Sequence, residues 1–279
     1  MLEVGVNPEF QTLADELNRI RSHLADVIEE RDDLVFHRAP AVKTDYILKI
    51  GSMEFEMFEI ECGIARLKRK IDMVQASINQ EEPVEMEIIE QALELEYAEY
   101  VEKMKRMAEE IDIAKQFSKQ VSLTAEEAAE LKKLYRSIAK LIHPDVNSSI
   151  TDSLKSIWNR SVDAYGNGDV ETLRLLLEAV SAETGSDAGG LDSGQNASAL
   201  EEIKDRIEKA KKGVIKILLE IDKIKQTFPF TETTFLADPE KVSARRAELT
   251  NKIDDGRVLH KELSDRLLAM LPSSGAHPC

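Results

Sequence analysis

The apolar positions of this chain fall largely in heptads. Phe10, Leu13, Leu17, Ile20, Leu24 and Val27 follow in steps of three and four, and Leu34 continues the run, which is the seam of a coiled coil. Arg31 occupies one seam position, where it either ends tight packing or sets the register. The run is expected to stop near Ala39-Pro40, because proline disfavours the helical conformation in the residue before it. A second seam reads Met53, Met57, Ile60, Ile64, Leu67, Ile71, Val74 and Ile78 and ends before Glu82-Pro83. A third reads Ile89, Leu93, Tyr97, Tyr100, Met104, Met107, Ile111 and Ala114. Three long helices are predicted, each with one narrow apolar stripe. The stripes can be covered by one another or by a second copy of the chain, the latter giving a homodimer through coiled coils.

The heptads resume after residues 185–198, GSDAGGLDSGQNAS, a glycine-rich stretch that reads as a flexible linker. Leu200, Ile203, Ile207, Ala210, Val214, Ile217, Ile221, Ile224 and Phe228 form one more seam. A loop with two prolines leads to a weaker last stripe of Val242, Leu249, Ile253, Gly256, Leu263, Leu267 and Met270. Arg246 and His260 lie on that stripe, and Pro272 ends it. No strand alternation of useful length occurs. The fold class is therefore all-α, with long coiled-coil helices and helical hairpins flanking a small helical block. In sequence order this predicts a coiled-coil bundle over 1–119, a compact segment over 120–182, a linker over 183–198 and a C-terminal hairpin over 199–279.

Composition narrows the range of partners. The 279 residues carry 37 Lys plus Arg against 53 Asp plus Glu, a formal charge of −16. Such a chain lacks the basic footprint that general nucleic-acid binding needs, and an anionic membrane surface would repel it. Aromatic residues make up only 5%, which argues against a β-sandwich. Cys62 and Cys279 are the only cysteines, so no disulfide framework is expected and a reducing, cytoplasmic setting fits. The N-terminal residues have neither a basic n-region nor an apolar h-region, and no run of about 18 apolar residues predicts a membrane span.

The segment from Ser122 to Val180 carries the chemistry. Thr124 and Glu127 form a capping box at the start of a helix that runs to about Ile142. Leu131, Leu134, Ile138, Leu141 and Ile142 supply its apolar side. Lys132, Arg136 and Lys140 stack at i, i+4 and i+8, with Lys133 beside them, a concentration of positive charge in an acidic chain. The plain alternative is a solvated face whose cations complement the helix C-terminus. The helix stops at His143-Pro144-Asp145, where the proline ring makes a stiff spacer between an imidazole and a carboxylate. Asn147, Ser148 and Ser149 form a polar turn. A second amphipathic helix then offers Leu154, Ile157, Trp158, Val162 and Tyr165 for packing, Gly166-Asn167-Gly168 breaks it, and Asp169 caps a third.

This combination resembles the J-domain of DnaJ-type co-chaperones. Tyr135-Arg136, Ile138-Ala139 and His143-Pro144-Asp145 stand where that family has its basic helix II and signature loop. Asn147 matches the asparagine that often follows, Ala164-Tyr165 matches a pair near the end of helix III, and Trp158 takes the place of an aromatic core residue. The resemblance covers about 124–166. It departs from the family in lacking the usual helix I, in Val146 and Ser137 where basic residues are common, and in lacking the basic motif after helix III. The helix ending near Lys119 is expected to pack in place of helix I.

The resemblance implies a co-chaperone that is not itself an enzyme and needs no cofactor. Lys132, Lys133, Arg136 and Lys140 would dock electrostatically on a DnaK-type ATPase chaperone, with Tyr135 and Asn147 adding contact. His143, Pro144 and Asp145 would trigger ATP hydrolysis in that partner, and the coiled-coil arms would hold a client protein. The alternative is a coiled-coil scaffold in which the segment is only a connector. No metal site is expected: the histidines at 23, 37, 143, 260 and 277 are scattered, and no HExxH, Cys/His ligand spacing, phosphate loop or nucleophile elbow is present.

Overall fold

The computed structural model describes residues 8–119, 123–147, 150–185 and 197–271, and among these there is no strand. The all-α expectation holds. In chain order the helices are α1 (Pro8–Asp33), α2 (Ala39–Tyr46), α3 (Ser52–Asn79), α4 (Met86–Glu96), α5 (Ala98–Phe117), α6 (Ala125–Ile142), α7 (Asp152–Gly166), α8 (Val170–Gly185), α9 (Ala197–Lys225), α10 (Thr233–Leu236) and α11 (Pro239–Met270). π-helical turns follow α1 at Leu34–Arg38 and α2 at Ile47–Gly51. No helix of the described residues is long and apolar enough to cross a membrane.

The division expected from chain order is corrected. Two compact units form, and each is discontinuous: residues 1–41 with 121–231, and residues 42–120 with 232–279. The first joins α1 to α6, α7, α8 and α9; the second joins α3, α4 and α5 to α11. The expected 199–279 hairpin gives way to a different pairing, in which α9 packs on α1 and α11 packs on α3. A hairpin would need its two seams to face each other, but each seam finds an N-terminal helix instead.

Both pairings are parallel. In the first unit Glu9, Glu16 and Glu30 of α1 pair with Lys204, Lys211 and Lys225 of α9 at 3.2, 3.0 and 2.9 Å. These pairs recur at heptad multiples with the helices in constant register, as flanking charges do in a parallel coiled coil. Between them Phe10 and Leu17 pack with Ile203, Ile207 and Ala210. Arg31, the polar seam residue, bonds Asp32 at 2.7 Å and reaches Glu220 of α9 at 3.4 Å. These seams are thus covered within one chain.

In the second unit, the C-terminal half of α11 follows α3 closely. A methyl group at Gly256 would come 2.7 Å from Cγ2 of Ile60, so the helices approach there only because Gly256 has no side chain. Arg246 donates to the carbonyl of Lys49 at 2.7 Å. Leu267 joins Ile71, Val74, Ile89 and Leu93 in a core cluster. The third seam is not one helix: it breaks at Tyr97, between α4 and α5. Ile89 and Leu93 pack with Ile71, Val74 and Leu267, whereas Ile111 and Ala114 pack against Ile47 and Phe55.

Pro40 does not stop the first helical run. It lies in the first turn of α2, where a missing amide costs least, just after the π-helical turn. The linker expected over 183–198 is helical to Gly185 and again from Ala197; residues 186–196 lie outside the described residues, as do Ser148, Ser149, Pro272, His277 and Cys279.

Candidate functional site

The helix–loop–helix of α6 and α7 forms within the first unit. Its local structure follows the sequence closely. Thr124 accepts from the Glu127 amide at 3.2 Å while the Glu127 carboxylate accepts from the Thr124 amide at 2.9 Å, completing the capping box. These bonds hold the Glu127 carboxyl below its usual range. Thr151 caps α7, and Asp169 accepts from the Thr172 amide at 2.9 Å to cap α8. Gly168 takes φ +71 in the turn between them, a conformation glycine adopts without strain.

Three aromatic rings bind α6 to α7. Tyr135 stacks on Tyr165 with ring centres 4.1 Å apart and lies 5.3 Å from Trp158. Both tyrosines are fully buried, and each donates its hydroxyl to a carboxylate of α1: Tyr135 to Asp32 at 2.7 Å, Tyr165 to Glu29 at 2.8 Å. Burial and these neighbouring carboxylates push both phenols well above their ordinary pKa. His37, in the turn after α1, contacts the carbonyl of Tyr165 at 3.0 Å. A buried polar seam therefore joins α1 to the helix–loop–helix, and α1 takes the place expected for the helix ending near Lys119, which belongs to the other unit.

This changes the role of several predicted contact residues. Tyr135 offers no outer surface, because its ring lies under α1 and its hydroxyl is bonded there. Lys132 pairs with Asp33 at 2.8 Å and Glu29 at 3.5 Å, and Arg136 reaches Asp26 at 3.6 Å. Lys133 and Lys140 remain exposed and pair with no carboxylate among the described residues. Asn147 turns back on the end of α6, its Nδ2 donating to the carbonyls of Leu141 and Lys140 at 2.5 and 3.4 Å, so it caps the helix instead of facing outward.

The loop itself divides into an inner and an outer part. His143 is buried, with its ring edge on Trp158 and centres 4.6 Å apart. Its Nδ1 accepts from the Asp145 amide at 2.9 Å, which requires that nitrogen to be unprotonated and leaves the ring proton on Nε2. Burial pulls the imidazole pKa down to about 4, against the opposing pull of the Asp145 carboxylate. Val146, which stands where the J-domain family often has a cation, is buried in the core. Pro144 and Asp145 face outward, and Asp145 lies 3.7 Å from Lys216 of α9. His143 thus holds the turn that presents its two neighbours.

Asp32, Glu29 and Lys216 had no signal of their own in the sequence beyond the acidic run from Glu29 to Asp33, since their partners lie more than 70 residues away in the chain. Among the described residues no cluster of His, Cys, Asp or Glu could hold a metal ion. No protein-family model matches the chain, and no curated protein or solved structure matches it.

Proposed function

We propose that this protein is a J-domain-type co-chaperone that engages a DnaK-type ATPase and stimulates its ATP hydrolysis. The observation that carries the reading is the His143-Pro144-Asp145 turn: it closes a cationic helix, is braced from inside by the buried imidazole, and turns Pro144 and Asp145 outward. A rigid loop of this kind can bias a two-state partner by touching one of its states better than the other. The bond-breaking chemistry belongs to the partner. On this reading Lys133 and Lys140 make weak, fast, salt-sensitive docking contacts, and His143 is a positioning residue for the loop. The coiled-coil helices hold a client or partner protein.

The test is single-turnover ATP hydrolysis by a purified DnaK-type chaperone in the presence of the full chain at low salt. Acceleration that His143→Gln abolishes supports the reading; no acceleration by the wild-type chain overturns it. A second reading, a scaffold with no ATPase-stimulating activity, is favoured by one specific feature: α1 carboxylates occupy Lys132 and Arg136, and α1 covers Tyr135.

A further inference from the structure

The cations of α6 are only half available, yet the loop has a second positive neighbour. On α9, Lys212, Ile215, Lys216, Leu219 and Lys223 recur at helical spacing along one stripe. At about 100° per residue this stripe points roughly opposite to Ala210, Val214, Ile217 and Ile221, the buried residues of the same helix. α9 is therefore apolar on two sides. The inner side is covered within the unit, while Ile215 and Leu219 are 58% and 65% exposed on the outer one. They sit in an open, nearly flat surface patch formed with the three lysines and Glu220. Lys212 and Lys223 pair with no carboxylate among the described residues.

The stripe is continuous with the loop. Lys216 lies 3.7 Å from Asp145, and a methyl group at Gly213 would come 3.9 Å from the Asp145 carbonyl oxygen. A partner that reaches the Asp145 carboxylate therefore comes within reach of Lys216 on α9. Three lysines around two exposed aliphatics, in a chain of charge −16, complement an acidic surface with an apolar centre. A phosphate backbone would have no use for Ile215 and Leu219, and three lysines are few for one.

We propose that the outer stripe of α9 is half of the docking surface for the ATPase partner, receiving an acidic, apolar-centred element of that protein beside the loop. This rests on the co-chaperone reading. The stripe holds the partner, and the loop acts on it.

The two roles separate kinetically. With the full chain, Lys212→Glu with Lys223→Glu, or Ile215→Asp with Leu219→Asp, should raise the concentration giving half-maximal ATPase stimulation about tenfold or more. Maximal stimulation should be retained. His143→Gln should instead lower the maximum. All four α9 side chains are exposed, so helicity and unfolding midpoint should match wild type. If the wild-type chain stimulates and both α9 pairs leave half-saturation unchanged, the docking proposal fails and the co-chaperone reading stands. If the wild-type chain does not stimulate, both fail. Binding of the full chain to phosphatidylserine-containing vesicles, lost in the same α9 variants, would assign the stripe to a membrane surface and overturn the proposal.

Discussion

The hydroxyl of Tyr135 on α6 bonds the carboxylate of Asp32 on α1 at 2.7 Å, and both residues are buried. The pair spans 103 positions of sequence and joins the first helix of the chain to the helix that ends in the His143 loop. Asp32 also accepts from Arg31, so its charge is matched inside the fold. A side chain expected at an outer surface is instead part of what fixes α1 in place.

Tyr135→Phe keeps the ring stack and deletes this bond. A hydrogen bond to a charged group contributes about 1.5–3 kcal/mol, so a loss of about 2 kcal/mol is expected. Trp158 is the only tryptophan and lies in the same cluster, so its fluorescence during urea unfolding reports on this unit alone. Combining the change with Asp32→Asn should cost less than the two single losses added together, because both remove one interaction.

The buried imidazole makes this unit sensitive to mild acid. His143 titrates near 4 in the fold, mainly because it is buried, against about 6.5 for an unfolded histidine. Between these values the unfolded chain binds a proton that the folded chain does not, so stability rises with pH across that window. It is complete above about pH 6.5 and is lost as pH falls towards 4, by an amount of order 3 kcal/mol. Urea midpoints from Trp158 fluorescence should follow this slope, and His143→Gln should flatten it.

Lysines one residue apart on α6 should behave differently. Lys132→Glu brings a new carboxylate beside Glu29 and Asp33, so the unit should lose about 1 kcal/mol or more of stability, with a lower unfolding midpoint. Lys133→Glu and Lys140→Glu alter exposed residues and should leave stability within about 0.5 kcal/mol of wild type. On the co-chaperone reading only the latter two weaken docking without weakening the fold. Thermal unfolding beside the ATPase assay separates the cases.

Gly256→Ala should destabilise the second unit although alanine favours helix by about 1 kcal/mol over glycine. The added methyl meets Cγ2 of Ile60 at 2.7 Å, closer than the packed helices can accept without moving apart. Ile60→Ala removes the obstructing atom and should partly restore the double variant. Far-UV circular dichroism during thermal unfolding is the readout, and a Gly256→Ala chain more stable than wild type would show that α11 can shift freely.

Much of the fold was legible in the heptads. Leu17, Leu24, Ile71, Val74, Ile207 and Ile217, all read as seam residues, are buried, because apolar residues recurring at helical spacing must be covered. The Thr124 capping box, the Asp169 cap and the Gly168 turn were legible for the same local reason: each is formed by residues within a few positions of one another. In the candidate site, the order of cationic helix, loop and aromatic-bearing helix was evident. The direction each side chain faces was not.

The sequence by itself determined that this chain is helical, where most helices begin and end, and which residues of each helix seek cover. It also marked His143-Pro144-Asp145 as a stiff turn after a positive helix. Only the tertiary structure decided which stripes meet: α9 lies on α1 and α11 on α3, each pair parallel, although two successive stripes joined by a loop had suggested that α9 and α11 form a hairpin. Heptad seams are chemically alike, so the pattern of one stripe does not name its partner. Charge pairs such as Glu9–Lys204 and close contacts such as Gly256–Ile60 select among partners, and they involve residues about 195 positions apart. Distance in sequence likewise hid Asp32 from Tyr135, and with it which cations of α6 the carboxylates of α1 would pair.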